Sequence, residues 1–546
     1  MAAEQSFYHT PSSPRHTGFT AWLLTTDHKR IGLMYGAVIL CYFLVGMTLG
    51  LLMRTELMSV NHKIVSAQTY NALFTLHGVI MIFIFIIPGM PTIFGNFFMP
   101  IQIGAEDVIF PRLNLMTFYL FVIGGILAIV SLFAMGPPDT GWTFYVPFSI
   151  STHTGVTLTV FAVFVLGVSS MLTGINFITT IHRCRAKGMG WMQIPLFTWT
   201  IYSTAWVQVL ATPVIGITML LILVERVFGV GLLDPSKGGD PLMYQHLFWM
   251  YSHPAVYIMI LPGMGIISEI FPVFSRKPIF GYRSIVAAGM GIATIGSLVW
   301  AHHMFVSGIS DEAVLVFSFF TFIVAVPSAV KVFNWVSTMY GGSIDFKPPL
   351  FFALWFIFLF TIGGLTGLVQ GAAGQNVHIH DTHWVVGHFH FVMFGGSGFA
   401  LIAGLHYWWP KMFGRMYDYK KAFIGGYMLV VGFMMHYFPM FILGLEGMPR
   451  RYYTYLPRYW AWNFFEGIGG YIMVAGIILI FVNLFLSFRN PPTAPADPWG
   501  GTTLEWSIPS PPPLKNFTRE PIVASYPYDF SEQARKLKEG GTDVTT

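Results

Sequence analysis

At 546 residues the chain is 54% hydrophobic and 17% aromatic, yet only 10% of it is Asp, Glu, Lys or Arg. Soluble domains carry about 25% charged residues, so this chain cannot clothe itself in a water-compatible surface and is expected to be solvated mostly by lipid. Its net charge of +5 therefore reports membrane orientation rather than binding to nucleic acid, and the two cysteines, Cys41 and Cys184, argue against a disulfide framework.

The first residues, MAAEQSFYHTPSSPRHTG, lack the short apolar core of a signal peptide, so the first apolar run is expected to be both address and anchor. Runs long enough to cross about 30 Å of hydrocarbon then follow at 31–53, 70–98, 113–134, 154–181, 196–224, 244–272, 283–306, 311–333, 349–370, 384–408, 421–445 and 465–488. They predict an all-α integral membrane bundle of twelve transmembrane helices, with both termini on one side. Loops on the amino-terminal side hold fifteen basic residues, from Arg15, Lys29 and Arg30 to Lys420 and Lys421; the opposite loops hold seven, among them Arg54, Lys63 and Arg226. By the positive-inside rule both termini are cytoplasmic. The expected organisation is a cytoplasmic segment over 1–30, a twelve-helix domain over 31–489 and a Pro-rich cytoplasmic tail over 490–546, extended along the inner surface.

Ionisable residues at membrane depth are costly and mark functional sites. Six histidines, His77, His253, His302, His303, His388 and His390, fall within or at the edges of the spans. Neutral imidazoles there want partners, and metals supply them. His388 and His390 lie about 200° apart around a helix, so they suit two different cofactors. His302 and His303, about 100° apart, can share one metal if the backbone adjusts locally, with His253 as third ligand. Tyr257, four residues after His253, projects from the same face and reaches that metal. His77 is left to pair with one of the two histidines of VGHFHF. A six-coordinate haem, a five-coordinate haem and a three-His metal with an open position follow.

The motifs TTDHKRIG, TLHGVIMIF, GAEDVIFPRLN, DTGWTFYVP, HPAVYIMILPGMGIIS, WAHHMF, VPSAVKVFNW, HDTHWVVGHFHFV and GMPRRY, in this order between about residues 18 and 490, resemble the haem–copper oxidases, specifically cytochrome c oxidase subunit I. The resemblance implies reduction of dioxygen to water with proton translocation. It implies that His77 and His390 ligate a low-spin haem and His388 an oxygen-binding haem, both of the A type. His253, His302 and His303 would then hold the copper CuB, with Tyr257 joined covalently to His253 and serving as electron and proton donor. His380 and Asp381 match a magnesium site at the interface with subunit II. Arg450 and Arg451 match a pair that faces haem propionates, Arg54 a residue at the low-spin haem's formyl edge, and Glu56 a peripheral calcium or sodium site. The implied partners are a subunit II bearing CuA (with a fused cytochrome c domain in some relatives), subunit III, smaller subunits, a cytochrome c donor and, in some relatives, a larger respiratory supercomplex. The implied location is a bacterial cytoplasmic (inner) membrane.

In family terms one proton route runs from Asp107 past Asn96, Asn114, Ser169, Ser170 and Asn176, and a second uses Lys331, Ser328 and Ser268. Many relatives end the first route with Glu two residues after the first copper-ligating His; this chain has Ala255 there. The preceding Tyr251 and Ser252 resemble a subgroup in which a Tyr–Ser pair replaces that Glu. Quinol-oxidising relatives are the alternative, but their four polar quinol-site groups are replaced here by Val45, Leu49, Thr69 and Ala72. A twelve-helix transporter is the rival outside redox chemistry, and no convincing internal repeat supports it.

Overall fold

The computed structural model describes residues 6–9, 18–60, 64–489, 491, 493–523 and 526–530. Arg15, Lys63 and residues 531–546 of the tail lie outside the described residues. Eleven helices there are long and apolar enough to cross a membrane: α1 His28–Glu56, α2 Ala67–Gln102, α3 Pro111–Ala134, α4 Val156–Arg183, α5 Leu196–Phe228, α6 Pro241–Ser275, α8 Asp311–Met339, α9 Pro348–Gly371, α10 His383–Phe413, α11 Tyr419–Leu445 and α12 Pro457–Arg489. Of the twelve expected spans, eleven are single long apolar helices among the described residues and one is divided. The run at 283–306 forms helix α7, Tyr282–Gly296, then a turn, then a 3-10 segment, Trp300–Met304. Gly296 ends the helix where a side chain would collide with the Tyr257 ring. A short helix, Gly18–Leu23, precedes α1.

Helix starts follow local chemistry. Asp27 accepts from the Arg30 N–H at 2.9 Å, Ser66 from Thr69 at 3.1 Å and Asp418 from Lys421 at 3.1 Å, each satisfying a donor that the first helical turn leaves open. Proline stands in the first turn of α3, α6 and α9, where its missing N–H costs nothing. Two helices loosen into π turns, α2 over Ile80–Ile86 and α10 over Met393–Gly398, immediately after His77 and His390. The outer faces expose large apolar side chains such as Phe133, Leu210, Phe319 and Phe333, as a lipid-solvated bundle requires.

The loops gather at two ends. At one end the amino-terminal Phe7 N–H donates to Pro512 O at 3.0 Å, Lys29 reaches Asn516 at 2.8 Å and Lys411 reaches Ala496 O at 2.9 Å. At the other, Arg450 pairs with Asp381, and Tyr453 donates to Val65 O at 2.7 Å. Both described chain ends therefore lie together. The tail is more than an extended cover: Trp499, Glu505, Trp506 and Asn516 are all buried, and Gln102 of α2 donates to Glu505 at 3.0 Å.

The antiparallel pair α11 and α12 packs through glycines on both helices. A methyl at Gly476 would lie 2.6 Å from Leu429 N, one at Gly469 would lie 2.7 Å from His436 N, and one at Gly432 would fall on the Met473 backbone. Close backbone approach of this kind drives helix association where lipid removes the hydrophobic incentive. Gly432→Ala and Gly476→Ala should each destabilise the protein by about 1–3 kcal/mol through overpacking. Thermal denaturation in detergent should show a lowered midpoint for both; unchanged midpoints would mean the helices are free to separate slightly.

Candidate metal and haem sites

Three histidines converge between α6 and the 3-10 segment. His253, His302 and His303 each offer a ring nitrogen, and these atoms all lie within 4.8 Å of one another. The 3-10 winding of Trp300–Met304 is the local backbone adjustment that two consecutive ligands need. His253 Nδ1 is 3.1 Å from His303 Nε2, while its Nε2 is 2.9 Å from the Tyr257 hydroxyl. The Thr321 hydroxyl donates to Phe317 O at 2.6 Å and so accepts from His302 Nδ1–H at 2.9 Å. That arrangement leaves His302 Nε2 bare. The Trp249 ring stacks on His303, centroids 3.7 Å apart at 11°, and fixes its plane. An all-imidazole donor set of three suits copper and leaves a coordination position open. Burying three unprotonated imidazoles side by side makes little sense without a cation among them.

The three other histidines singled out by the sequence share one pattern. His77 Nδ1–H donates to Gly46 O at 2.8 Å, His388 Nδ1–H to Gly363 O at 3.0 Å and His390 Nδ1–H to Val386 O at 2.9 Å. In each ring the carbonyl fixes the tautomer and leaves Nε2 as an outward lone pair, the usual preparation of a metal-ligating histidine. Two glycines make room for the rings. A Cβ at Gly50 would lie 2.9 Å from His77 Cε1, and one at Gly367 would lie 2.8 Å from His388 Cε1. His388 leans on α9 through Gly363, whereas His390 stacks on Tyr437 of α11, centroids 4.2 Å apart. They serve different neighbourhoods, as their spacing requires. Near His77 and His390, Phe43 of α1 bridges Phe85 of α2 and Phe394 of α10, at 4.4 and 6.4 Å between ring centroids. These donor sets fit two haems.

Arg54 is held more firmly than its sequence context suggested. It pairs with the fully buried Glu466 at 2.6 Å and donates to Asn463 Oδ1 at 3.1 Å. His383 Nε2 lies 3.7 Å from the same carboxylate, and His436 Nδ1–H donates to Glu466 O at 2.6 Å. Sequence reasoning missed Glu466, although a lone carboxylate inside an apolar run is a signal. Asp381, exposed at its tip, pairs with Arg450 and stands 3.9 Å from His380 Nε2. Burial alone would raise its carboxyl, but Arg450, His380 and Arg451 together bring it below the ordinary range. Arg451 packs beside Gly141 in the neighbouring loop. Glu56 accepts from the Ile64 and Val65 N–H groups at 2.6 and 3.2 Å, so it clamps a loop.

Most of the polar residues singled out for proton routes are buried, and several lack a hydrogen-bond partner among the described residues. Asp107 takes the Val108 N–H at 2.6 Å; burial, and next the Asp27 carboxylate, push its carboxyl up to about 8. Asn96, Asn114 and Asn176 are fully buried, and neither side-chain polar atom of Asn114 has a hydrogen-bond partner among the described residues. Ser169 donates to Thr117 O at 2.7 Å. Lys331 does not snorkel: it is fully buried, and its Nζ has no hydrogen-bond partner among the described residues. Ser328, one turn earlier, donates to Val324 O at 3.2 Å, and Ser268 accepts from Trp335 Nε1 at 2.9 Å. Tyr251 and Ser252 are both buried, and Ser252 Oγ is likewise without a partner there.

Comparison with known proteins agrees with this geometry. Residues 30–472 match the family described as cytochrome C and quinol oxidase polypeptide I. Cytochrome c oxidase subunit 1 of Thermostichus vulcanus is 40% identical, with 98% of each chain covered. The protein of that name from Synechocystis is 42% identical over 98% of this chain and 97% of its own, and that from Cereibacter sphaeroides 38% identical over 94% and 97%. A solved haem–copper terminal oxidase has the same fold, with a TM-score of 0.71 at 20% identity, covering 93% of this chain and 89% of its own. Four metal-facing imidazoles with one nitrogen tied to protein, a three-histidine cluster and near-full-length likeness to these relatives lead to one conclusion: the chain belongs to the haem–copper oxidase family as a subunit I.

Proposed function

We propose that this chain is the catalytic subunit of a respiratory cytochrome c oxidase, which reduces dioxygen to water and couples that reaction to proton translocation. The observation that carries the proposal is the His253–His302–His303 cluster with the Tyr257 hydroxyl 2.9 Å from His253. The His253–His302–His303 cluster would hold CuB, and His77 with His390, and His388, would hold two haems; these groups would supply most of the electrons that dioxygen accepts. The protein does the rest. His77 and His390 together leave no open face, which suits electron transfer alone, whereas His388 acts singly and leaves room for a gas. Tyr257 stands ready to give a proton and an electron beside His253, and its position on the same helix face suits a covalent link between the two. Haems of the A type suit an Arg54 whose guanidinium is steadied by Glu466 and Asn463.

Protons reach this site from the end of the bundle where the amino terminus and the tail meet. We assign that end to the cytoplasm of a bacterial inner membrane on the balance of basic residues. The broken segment Tyr282–Met304 is then the twelfth crossing, because two ends that lie together require an even number. Asp107 opens one route, and Asn114 and Asn176 lead from it towards Ser169. Lys331, with Ser328 and Ser268, feeds Tyr257 by the second. His380 and Asp381 suit magnesium at a contact with subunit II, and Arg450 and Arg451 suit haem propionates beside it. A cation at Glu56 would have to share its carboxylate with two N–H groups. Electrons come from cytochrome c through subunit II, within a complex that includes subunit III and smaller subunits. Val45, Leu49, Thr69 and Ala72, which replace an Arg, an Asp, a His and a Gln, do not suit a quinol site.

His303→Ala should empty the copper site while both haem spectra persist, since the haem ligands come from other segments. Metal analysis of the purified complex tests this, and full turnover in a copper-free variant would refute the assignment. His390→Ala should abolish the low-spin haem signal and keep carbon monoxide binding; loss of carbon monoxide binding alone would mean the two haems are exchanged. Asp107 holds its proton below about pH 8 and loses it above, so uptake through it should fall as pH rises through that value. Asp107→Asn should slow proton uptake on the order of 100-fold and remove that inflection, read by stopped-flow pH indicators on vesicles.

A further inference from the structure

Position 255 is alanine, so the Asp107 route lacks a carboxylate at its far end. A polar stripe on the neighbouring helix runs through the same region. Helix α5 carries Thr204, Gln208 and Thr212 at successive four-residue steps, on one face, and they are 1%, 1% and 3% exposed. Hydroxyls inside apolar helices normally donate back to the carbonyl four residues earlier. Thr218 on this same helix does so at 2.7 Å, and Thr173 and Thr180 on α4 do so at 2.9 and 2.7 Å. Thr204 Oγ1 and Thr212 Oγ1 do not, and neither they nor Gln208 Oε1 have a hydrogen-bond partner among the described residues.

Gln208 is where this stripe meets the route. Its Nε2 donates to Ser170 Oγ at 3.1 Å. It also lines an internal cavity of about 20 Å³ with Tyr35, Thr92, Ser169, Ser170 and Thr173. That volume admits one water; Phe83, Ile87 and Leu166 share the lining, and its hydroxyls with the Gln208 amide supply the partners a buried water needs. Helices α5 and α6 run antiparallel, with Phe197 N donating to Glu269 at 2.9 Å and Thr200 against Gly265. Counting along that register sets Gln208 level with Tyr257 and Thr212 level with His253, at the height of Ser252, whose hydroxyl has no partner among the described residues; the Thr212 methyl itself rests against Gly167 of α4.

We propose that Gln208 and Thr212 are positioning residues of the proton route, holding the water file that joins Ser170 to Ser252 and Tyr251. An amide neither gains nor loses a proton at working pH, so Gln208 orients water while water and hydroxyls carry the proton. Thr204 extends the stripe one turn towards the Asp107 end. The chain thereby bridges, with neutral groups on α5, the gap that a carboxylate at position 255 would span. This inference rests on the reading that Asp107 feeds the oxygen site. The competing role for such residues is adhesion between membrane helices, which affects stability and not proton kinetics.

The test uses the whole oxidase complex in lipid vesicles, with proton uptake timed after flash release of carbon monoxide. Gln208→Leu keeps the bulk and removes the amide; Thr212→Val is nearly isosteric; Gln208→Glu restores a polar chain. Gln208→Leu should slow uptake on the order of tenfold and lower the protons pumped per electron, with both haem spectra and carbon monoxide recombination unchanged. Thr212→Val should act in the same direction, and Gln208→Glu should recover most of the rate. Wild-type uptake in both Gln208→Leu and Thr212→Val, with Asp107→Asn slow, would overturn this inference alone, and a lowered thermal midpoint without slower uptake would assign Gln208 to helix adhesion. Unchanged uptake in Asp107→Asn as well would overturn the route and the inference with it.

Discussion

An imidazole at membrane depth has two nitrogens and no water to satisfy them, and this protein answers that constraint in the same way at His77, His302, His388 and His390. His77, His388 and His390 each give one N–H to a helix carbonyl, and His302 gives one to the Thr321 hydroxyl. The second nitrogen is then an unshared lone pair in an apolar surrounding, well suited to take a metal, although His406, with Nδ1 on Ile402 O and a bare Nε2, shows that the pattern alone does not assign one. Much of the local architecture serves these rings. Gly50 and Gly367 clear space for two of them, and Gly296 clears space for the phenol beside a third. The helix α7 gives way to 3-10 winding where two consecutive residues must both face the same centre.

The same low-dielectric setting governs the rest of the polar inventory. Arg54 and Glu466 are each an expense if buried alone, and their 2.6 Å contact makes the pair bearable rather than strongly stabilising. That pairing orients the guanidinium, a more specific contribution than stability. At the other end, Asp107 sits among groups that hold its proton to higher pH than usual, as suits a residue that collects protons from a neutral aqueous phase. Between the two ends, hydroxyls and amides without protein partners mark where water belongs.

Much of this was legible in the sequence, for a definite reason: residues that violate membrane hydropathy stand out. The six histidines could be picked out in that way, Asp107 and Lys331 came only with the family resemblance, and the helical period separated His388 from His390. The spans were legible to within a few residues because lipid demands long apolar runs. The break after Gly296 was not legible, since Gly and Ser in an apolar run resemble an ordinary small-residue helix face until Tyr257 is placed against them. Glu466 and Gln208 went unnoticed because each sits on a long helix whose overall hydropathy reads as anchor, and the hydroxyls around Gln208 read as ordinary helix residues. The packed tail was misjudged for a different cause. Its prolines suggested a segment extended along the inner surface, while Trp499 and Trp506 are buried against Tyr407 and fasten it to the bundle.

The central claim is that the chain prepares two unlike haem positions, one ligated from both sides and one from a single side. Titration of the reduced, purified complex with carbon monoxide measures this most directly. Two non-covalently bound haems are expected per subunit, with carbon monoxide bound by one of them and the other spectrally unaffected. Binding to both, or to neither, would contradict the assignment of His77 and His390 to one iron and His388 to the other.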